Sequence, residues 1–488
     1  MFGATCQRDT ICGRFSLRGK AGSEFCVTIS FSLCFFVLIF LECDDSMDEI
    51  HLSEYGDASV VPAPVSRMMA SFAADFRDGV DINLGVGYVN EKTIPRELIE
   101  QSLHEVIANP QRHRAALNYG GPKGSHNLIT SIKEFLTKHR IGDLTERILS
   151  RNEIIIGPSG ATSLLEAIAN ILPKGLVIMS DPVYYIYSNF LERMGFEIAA
   201  VPEGPEGINI ELLEKKLDQL GDNKKEISFL YIVTVSNPTC TILSSSCQRR
   251  LIDVTNRLSN DLGRKVPLFL DKAYENLIHD PDLPERRSAL LYDELGLVYE
   301  IDTLSKILAP ALRIGYMIGR GCAFTKVMIQ RTSDVGFSAP LICQEIASHI
   351  LDHHVAGQIE KVKQGYHEKA IQTKKWIDEF LGDSITECRG GQAGFYYYLT
   401  FDGIETDEDS PFFKFLTRTT GLLDIDGPAE NKKPRVLYIP GQYCVHKRGS
   451  LTEVGKRQLR LSYGFEELDN IHKAIQLMQE AIIYSQSL

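Results

Sequence analysis

Chemically able side chains in this sequence stand directly after short apolar runs. Lys306 closes Asp302-Thr303-Leu304-Ser305-Lys306, with Arg313 seven positions further on. A lysine placed where water is excluded loses part of its charge, and its amine becomes a nucleophile. Asp271 ends the run Val266–Leu270 and is followed by Lys272-Ala273-Tyr274. A carboxylate there is costly to bury without a partner, and a cationic ring nitrogen is one such partner. After Glu153–Gly157 come Pro158, Ser159, Gly160, Ala161 and Thr162. Small residues at a strand-to-helix turn expose successive backbone N–H groups, which suit an anion; without a following Lys-Ser/Thr pair this is not a P-loop. Phe229–Val235 ends in Ser236-Asn237-Pro238-Thr239. Asn237 there either shapes the turn or aims its amide into a cleft. Tyr184, after Ser180-Asp181-Pro182-Val183, can stack on a planar ligand or simply pack.

The elements that must position these residues follow from periodicity. Glu153–Gly157, Leu176–Met179, Phe229–Val235, Val266–Leu270 and Leu297–Ile301 read as buried strands, and Ser163–Leu172 and Cys247–Leu262 carry helical spacing. This alternation predicts an α/β fold, a three-layer αβα domain with a mostly parallel sheet. Ligands bind such sheets at the carboxyl ends of the strands, so the loops above converge on one edge. Beyond Ala339 a long helical stretch, Ile342–Phe380, precedes strand-like runs at Gly394–Thr400 and Val436–Ile439 and a last helix from Glu466. The expected organisation is a tail 1–46, an arm 47–90, a large domain 91–340 and a smaller α+β domain 341–488. The run Phe395–Tyr398 reads as strand core and edge, outside any cofactor site. An anion cradle, a ring, an amide, an acid, an amine and a guanidinium at one edge would equip the protein for an aromatic aldehyde phosphate. Its pyridine nitrogen needs the acid and its aldehyde the amine.

Composition narrows the classes. The 488 residues are 44% hydrophobic and 24% charged, close to the globular average, which excludes wholesale disorder and a multi-span membrane protein. The net charge of −12 argues against nucleic acid as a partner. Five of the 11 cysteines fall in the first 46 residues. The other six have no metal-ligand spacing, so neither a metal site nor a disulfide framework is expected, and an intracellular, cytoplasmic location fits. In the tail, Arg8, Arg14, Arg18 and Lys20 precede an uncharged run from Phe25 to Leu41, with acids after it. Its 17 residues lie at the lower edge of a membrane span. It reads either as a signal anchor, the one route to a membrane, or as upstream sequence before a true start at Met47.

The stretch Thr303-Leu304-Ser305-Lys306-Ile307-Leu308-Ala309-Pro310-Ala311-Leu312-Arg313-Ile314-Gly315-Tyr316 resembles the cofactor-lysine signature of the class I/II aminotransferases, pyridoxal-phosphate enzymes of fold type I. The likeness is to the aromatic, kynurenine and aminoadipate branch. Ser236-Asn237-Pro238-Thr239, Asp271 with Tyr274, Arg460-Leu461-Ser462-Tyr463, Asn118-Tyr119-Gly120, Gly390-Gly391 and Pro440-Gly441 recur in family order. The resemblance covers residues 81–488. It implies pyridoxal 5′-phosphate as cofactor, an amino acid and a 2-oxo acid as substrates, and ping-pong transfer through a Lys306 aldimine. By the same resemblance Asp271 would hold the pyridine nitrogen protonated, Asn237 and Tyr274 would bond the ring oxygen, and Tyr184 would stack on the ring. Ser159, Gly160, Ala161, Thr162, Thr303, Ser305 and Arg313 would bind the phosphate. Arg460 would clamp the substrate carboxylate with Asn237 beside it, and Gly87 belongs to a segment, Gly85–Tyr88, that would cover the substrate. Tyr119 would reach the phosphate of a neighbouring subunit, implying a homodimer with shared sites.

The sequence departs from the family pattern at Cys240 and Ala311, where glycine is common, and at Thr162, where many relatives carry Gln. A Cβ at Cys240 or Ala311 would shift a turn or narrow the pocket without removing a catalytic group. Two rival readings stay open. A lyase or cyclase on the same fold would use the same residues, and a ligand sensor would carry a DNA-binding helix pair upstream, which residues 1–80 do not show.

Overall fold

The computed structural model describes residues 50–488 and, before them, only the backbone of 15–18 and 24–27. The chain divides into two units, Met1–Asp57 and Ala58–Leu488. In the first, Phe15–Arg18 and Glu24–Val27 pair antiparallel, and Glu54–Asp57 forms one helical turn. The apolar run 25–41, beyond its first three residues, lies outside the described residues, as does its reading as an anchor. Among the described residues no helix is long and apolar enough to cross a membrane.

The second unit is built on an eight-stranded sheet: β1 (Asn152–Ile156), β2 (Leu176–Asp181), β3 (Glu197–Gly204), β4 (Gly207–Ile208), β5 (Ile227–Val233), β6 (Leu268–Asp271), β7 (Val298–Thr303) and β8 (Gly315–Arg320). The spatial order is β1-β8-β7-β6-β5-β2-β3-β4. β8 runs antiparallel to both neighbours, β4 is an edge hairpin on β3, and the remaining pairs are parallel. Successive side chains of one strand point to opposite faces. Thus Ile154, Leu230, Ile232, Leu268 and Leu270 enter one apolar core, while Ile155, Phe229, Tyr231, Val233 and Phe269 enter another. Two cores on two faces make three layers, the reason these strands read as continuous apolar runs.

Helix α1 (Gly160–Ile171) leaves β1, and α2 (Tyr185–Arg193) follows β2. Helix α3 (Ser245–Leu262), between β5 and β6, is capped by Ser244 Oγ on the Cys247 amide and stops at Gly263, whose φ of 62° suits glycine. The single helical stretch expected at Ile342–Phe380 is two helices, Leu341–His353 and Val355–Leu381, broken at His354 (φ −134°, ψ −12°). Leu341–His353 packs on His126–Lys138 and Arg96–Ala108.

A second, four-stranded antiparallel sheet comprises β9 (Ile385–Gly390), β10 (Tyr396–Phe401), β11 (Ile439–Pro440) and β12 (Gln458–Ser462), in the order β9-β10-β12-β11. The arm joins it: Ile82-Asn83 pairs in parallel with Val436-Leu437, and the Ser462 amide donates to Leu84 O at 2.8 Å. Asp81 anchors that arm. Burial opposes its charge, but the Arg77 and Arg435 guanidiniums outweigh burial and hold the carboxyl far below the usual range.

Candidate active site

The carboxyl ends of β1, β2, β5, β6 and β7 surround a cavity of about 150 Å³. At one end, Arg313 follows the helical turn Pro310–Leu312 in a left-handed conformation, φ 54°. Its carbonyl accepts from the Gly160 amide at 2.7 Å, and its Nε and Nη2 donate to Ser159 Oγ and Ser159 O at 3.1 and 3.0 Å. The backbones meet so closely that a Cβ on Gly315 would stand 2.2 Å from the Ala161 nitrogen. Ser159 and Gly160 therefore fix the arginine, while Ala161 and Thr162, at the helix N-terminus, line the cavity. Thr303 Oγ1 lies 2.8 Å from Ser305 Oγ and 2.7 Å from Ile314 O. Two hydroxyls, a helix N-terminus and a guanidinium together form a cradle suited to a phosphate dianion.

Across the cavity, Asp271 closes β6 with its carboxylate buried. Burial pushes its pKa up. The Tyr231 hydroxyl, which donates to Oδ2 at 2.6 Å, and the Ala273 amide, donating to Oδ1 at 3.0 Å, oppose that rise. Lys306 stands in the same cavity, its Nζ 5.4 and 5.6 Å from the Tyr274 and Phe395 ring centres. Desolvation, then the positive charges of Arg313 and Arg460, lower its pKa to about 8 against the opposing pull of Asp271. A minor fraction of the amine is thus neutral near physiological pH, and about half of it at pH 8. It donates to Gly87 O at 3.0 Å.

Arg460 lies mid-strand in β12, paired with Tyr398 and Ile439, and is only 1% exposed. Its Nη1 donates to Asn237 Oδ1 at 2.8 Å and its Nη2 to Gly85 O at 2.5 Å, while Nε is buried without a partner. The guanidinium lies 4.3 Å from the Tyr396 ring centre and 5.6 Å from that of Tyr185. Because Arg460 takes the Asn237 oxygen, the Asn237 amide nitrogen is the group left to donate into the cavity. Tyr184 lines the cavity wall above. The Tyr274 hydroxyl is 2.8 Å from that of Tyr396.

Tyr119 is 82% exposed and lines a separate cleft with Phe337, so this chain's own cavity does not include it. The sequence does not mark Tyr231, Tyr185 or Tyr396 as site residues, and Tyr396 reads there as strand core. Tyr396 is indeed buried in the strand, but its hydroxyl and ring also meet Tyr274 and Arg460. Of the departures, Ala311 lies exposed in the turn Pro310–Leu312 without positive φ. Cys240 holds a left-handed φ of 52°, a conformation costly to non-glycine residues. Burial pushes its thiol up to about 12 although the Tyr396 and Phe395 amides donate to it.

This fold is that of a pyridoxal-phosphate enzyme of fold type I. The profile of the family "Aminotransferase class I and II" matches residues 81–430, and the chain belongs to that family. It is an aminotransferase, and its cofactor is pyridoxal 5′-phosphate. Aromatic-amino-acid aminotransferase 1 of Thermococcus litoralis is 26% identical over 410 residues, covering 82% of this chain and 88% of the relative. The multiple substrate aminotransferase of Thermococcus profundus superposes with a TM-score of 0.75 at 20% identity, covering 91% of this chain and 99% of that one. Pyrococcus horikoshii kynurenine aminotransferase, solved with PMP, gives 0.74 at 22% identity over 90% and 98%.

Proposed function

We propose that the protein transfers the amino group of an L-amino acid to a 2-oxo acid by a ping-pong mechanism, with Lys306 as the cofactor-bearing and proton-moving amine. The observation that carries this reading is the half-buried amine of Lys306 sharing one cavity with Asp271, Asn237 and the Arg313 cradle, with Arg460 bonded to Asn237. The cofactor, when bound, supplies an electron-withdrawing ring that makes the substrate α-proton acidic.

Asp271, held by Tyr231, would face the ring nitrogen of the bound cofactor and keep it protonated; Asn237 Nδ2 and the Tyr274 hydroxyl would donate to its ring oxygen, and Tyr184 would cover its ring face. Ala161, Thr162, Thr303, Ser305 and Arg313 take the phosphate, and Ser159 and Gly160 act by fixing Arg313. Arg460 binds the substrate α-carboxylate through a paired fork that lysine cannot reproduce. Lys306, half of it neutral at pH 8, takes the α-proton and returns it. The arm residues Gly85 and Gly87 close over the substrate and exclude water. Tyr119 serves the phosphate of a second copy in a homodimer.

The test is an absorbance spectrum of the protein loaded with pyridoxal phosphate, before and after a panel of amino acids. The reading predicts loss of the aldehyde-form cofactor band with growth of the amine-form band, reversed by a 2-oxo acid. Ammonia release without the amine form would instead assign a lyase.

A further inference from the structure

Tyr396 lies in β10 and Tyr274 in the loop that follows β6, and their hydroxyl oxygens are 2.8 Å apart. Tyr396 is fully buried and Tyr274 is 6% exposed. The Tyr396 side chain is held on three sides. Its backbone pairs with Ser462 in β12, its ring lies 4.3 Å from the Arg460 guanidinium, and its hydroxyl presses on the arm, where a Cβ on Gly87 would meet it at 2.8 Å. Burial keeps both phenols protonated. Each hydroxyl therefore brings one proton to a contact that needs only one, and one proton must be directed elsewhere.

We propose that Tyr396 is a positioning residue for Tyr274: its hydroxyl donates to the Tyr274 oxygen, so that the Tyr274 proton is delivered to the ring oxygen of the bound cofactor. This deepens the function proposed above and rests on the role given there to Tyr274. The direction follows from charge. The ring oxygen is the more negative acceptor and takes the Tyr274 proton, leaving the Tyr274 lone pairs to accept from Tyr396. A hydroxyl that accepts one hydrogen bond also donates a stronger one, because the chain polarises. Donation to the ring oxygen withdraws negative charge from it. That oxygen then holds less firmly the proton it shares with the nitrogen joining Lys306 to the cofactor. Tyr396 thereby lowers the pH at which that proton leaves, from a position that touches neither cofactor nor reacting atoms.

The experiment is the pH titration of the visible absorbance of the cofactor-loaded protein. Tyr396→Phe removes one hydroxyl and keeps the ring on Arg460. The expected result is a midpoint raised by a factor of roughly two to ten in proton affinity, the range of one ordinary hydrogen bond. Tyr398→Phe is the control, since it removes a buried hydroxyl of the same strand that bonds Gln458 Oε1 at 3.1 Å. Its midpoint is expected to match the wild type. In a Tyr274→Phe background the added Tyr396→Phe change is expected to shift nothing further. An unmoved or lowered midpoint in Tyr396→Phe overturns this proposal alone, as does an equal shift in Tyr398→Phe. A wild-type protein that develops no cofactor band overturns the reading of the site and this proposal with it.

Discussion

Lys306 Nζ and Gly87 O, 219 residues apart in the chain, are joined by a hydrogen bond of 3.0 Å. Two residues earlier, Gly85 O takes a bond from Arg460. The segment Gly85–Gly87 thus contacts both the Lys306 amine and the Arg460 guanidinium, the groups proposed above to carry the cofactor and to bind the substrate. If Lys306 bears the cofactor as proposed, the Gly87 carbonyl would lose this partner, while Gly85 would still accept from Arg460.

A Cβ on Gly87 would lie 2.8 Å from the Tyr396 hydroxyl, so the segment or the tyrosine must shift to admit it. Gly87→Ala is expected to lower kcat/KM by about tenfold through displacement of the arm, with cofactor absorbance retained. Steady-state kinetics beside a spectrum check this. Unchanged kinetics would show that the arm does not press on the site during turnover.

Lys306→Ala removes the amine while leaving the phosphate cradle and Asp271 intact. It is expected to abolish turnover and to leave pyridoxal phosphate weakly bound. Full activity in this variant would refute the assignment of Lys306.

Arg460→Ala is expected to raise the amino-acid KM and to reduce kcat/KM by roughly a hundredfold, the cost of removing one partner of a buried charged pair. Cofactor binding is expected to persist. Arg460→Lys is not expected to restore the loss, because a point charge cannot form the fork. Wild-type kinetics in either variant would remove Arg460 from the substrate site.

The lowered pKa of Lys306, about 8 against 10.5 for a free lysine, has a signed consequence. Only the neutral amine attacks an aldehyde. Capture of pyridoxal phosphate by the cofactor-free protein is therefore expected to accelerate about tenfold per pH unit below pH 8 and to level off above it. Between pH 8 and 10.5 the unfolded chain binds more protons than the native one at this residue, so stability from this group rises with pH across that window. Stopped-flow absorbance at stepped pH measures the first effect. A rate still climbing at pH 10 would contradict it.

The sheet was legible in the sequence because strands buried on both faces are continuous apolar runs. The carboxyl ends of β2, β6 and β7 extend past the apolar runs, while those of β1 and β5 stop before the ends of theirs. Asp271 and Asp302-Thr303 lie inside β6 and β7, since Tyr231 and the Thr303 amide satisfy these acids within the strands. β3 and β8 escaped notice because Pro202 and Glu203, or Gly315 and Gly319, interrupt their apolar character. Lys306, Asp271 and Asn237 were visible as polar residues at strand ends. Arg460 sits mid-strand, where no periodic signal marks it, and only its motif pointed to it. The role of Tyr396 was hidden for a different reason. Tyr396 to Tyr398 are all buried, so alternation cannot say which tyrosine faces Tyr274. Pairing with β12 decides that, and pairing is not local in sequence.

The central claim is that Lys306 binds the cofactor covalently. The most direct measurement is borohydride reduction of the pyridoxal-phosphate-loaded protein, followed by proteolysis and mass spectrometry. The account predicts one cofactor-bearing peptide, modified at Lys306. Modification at another lysine, or none, would contradict it.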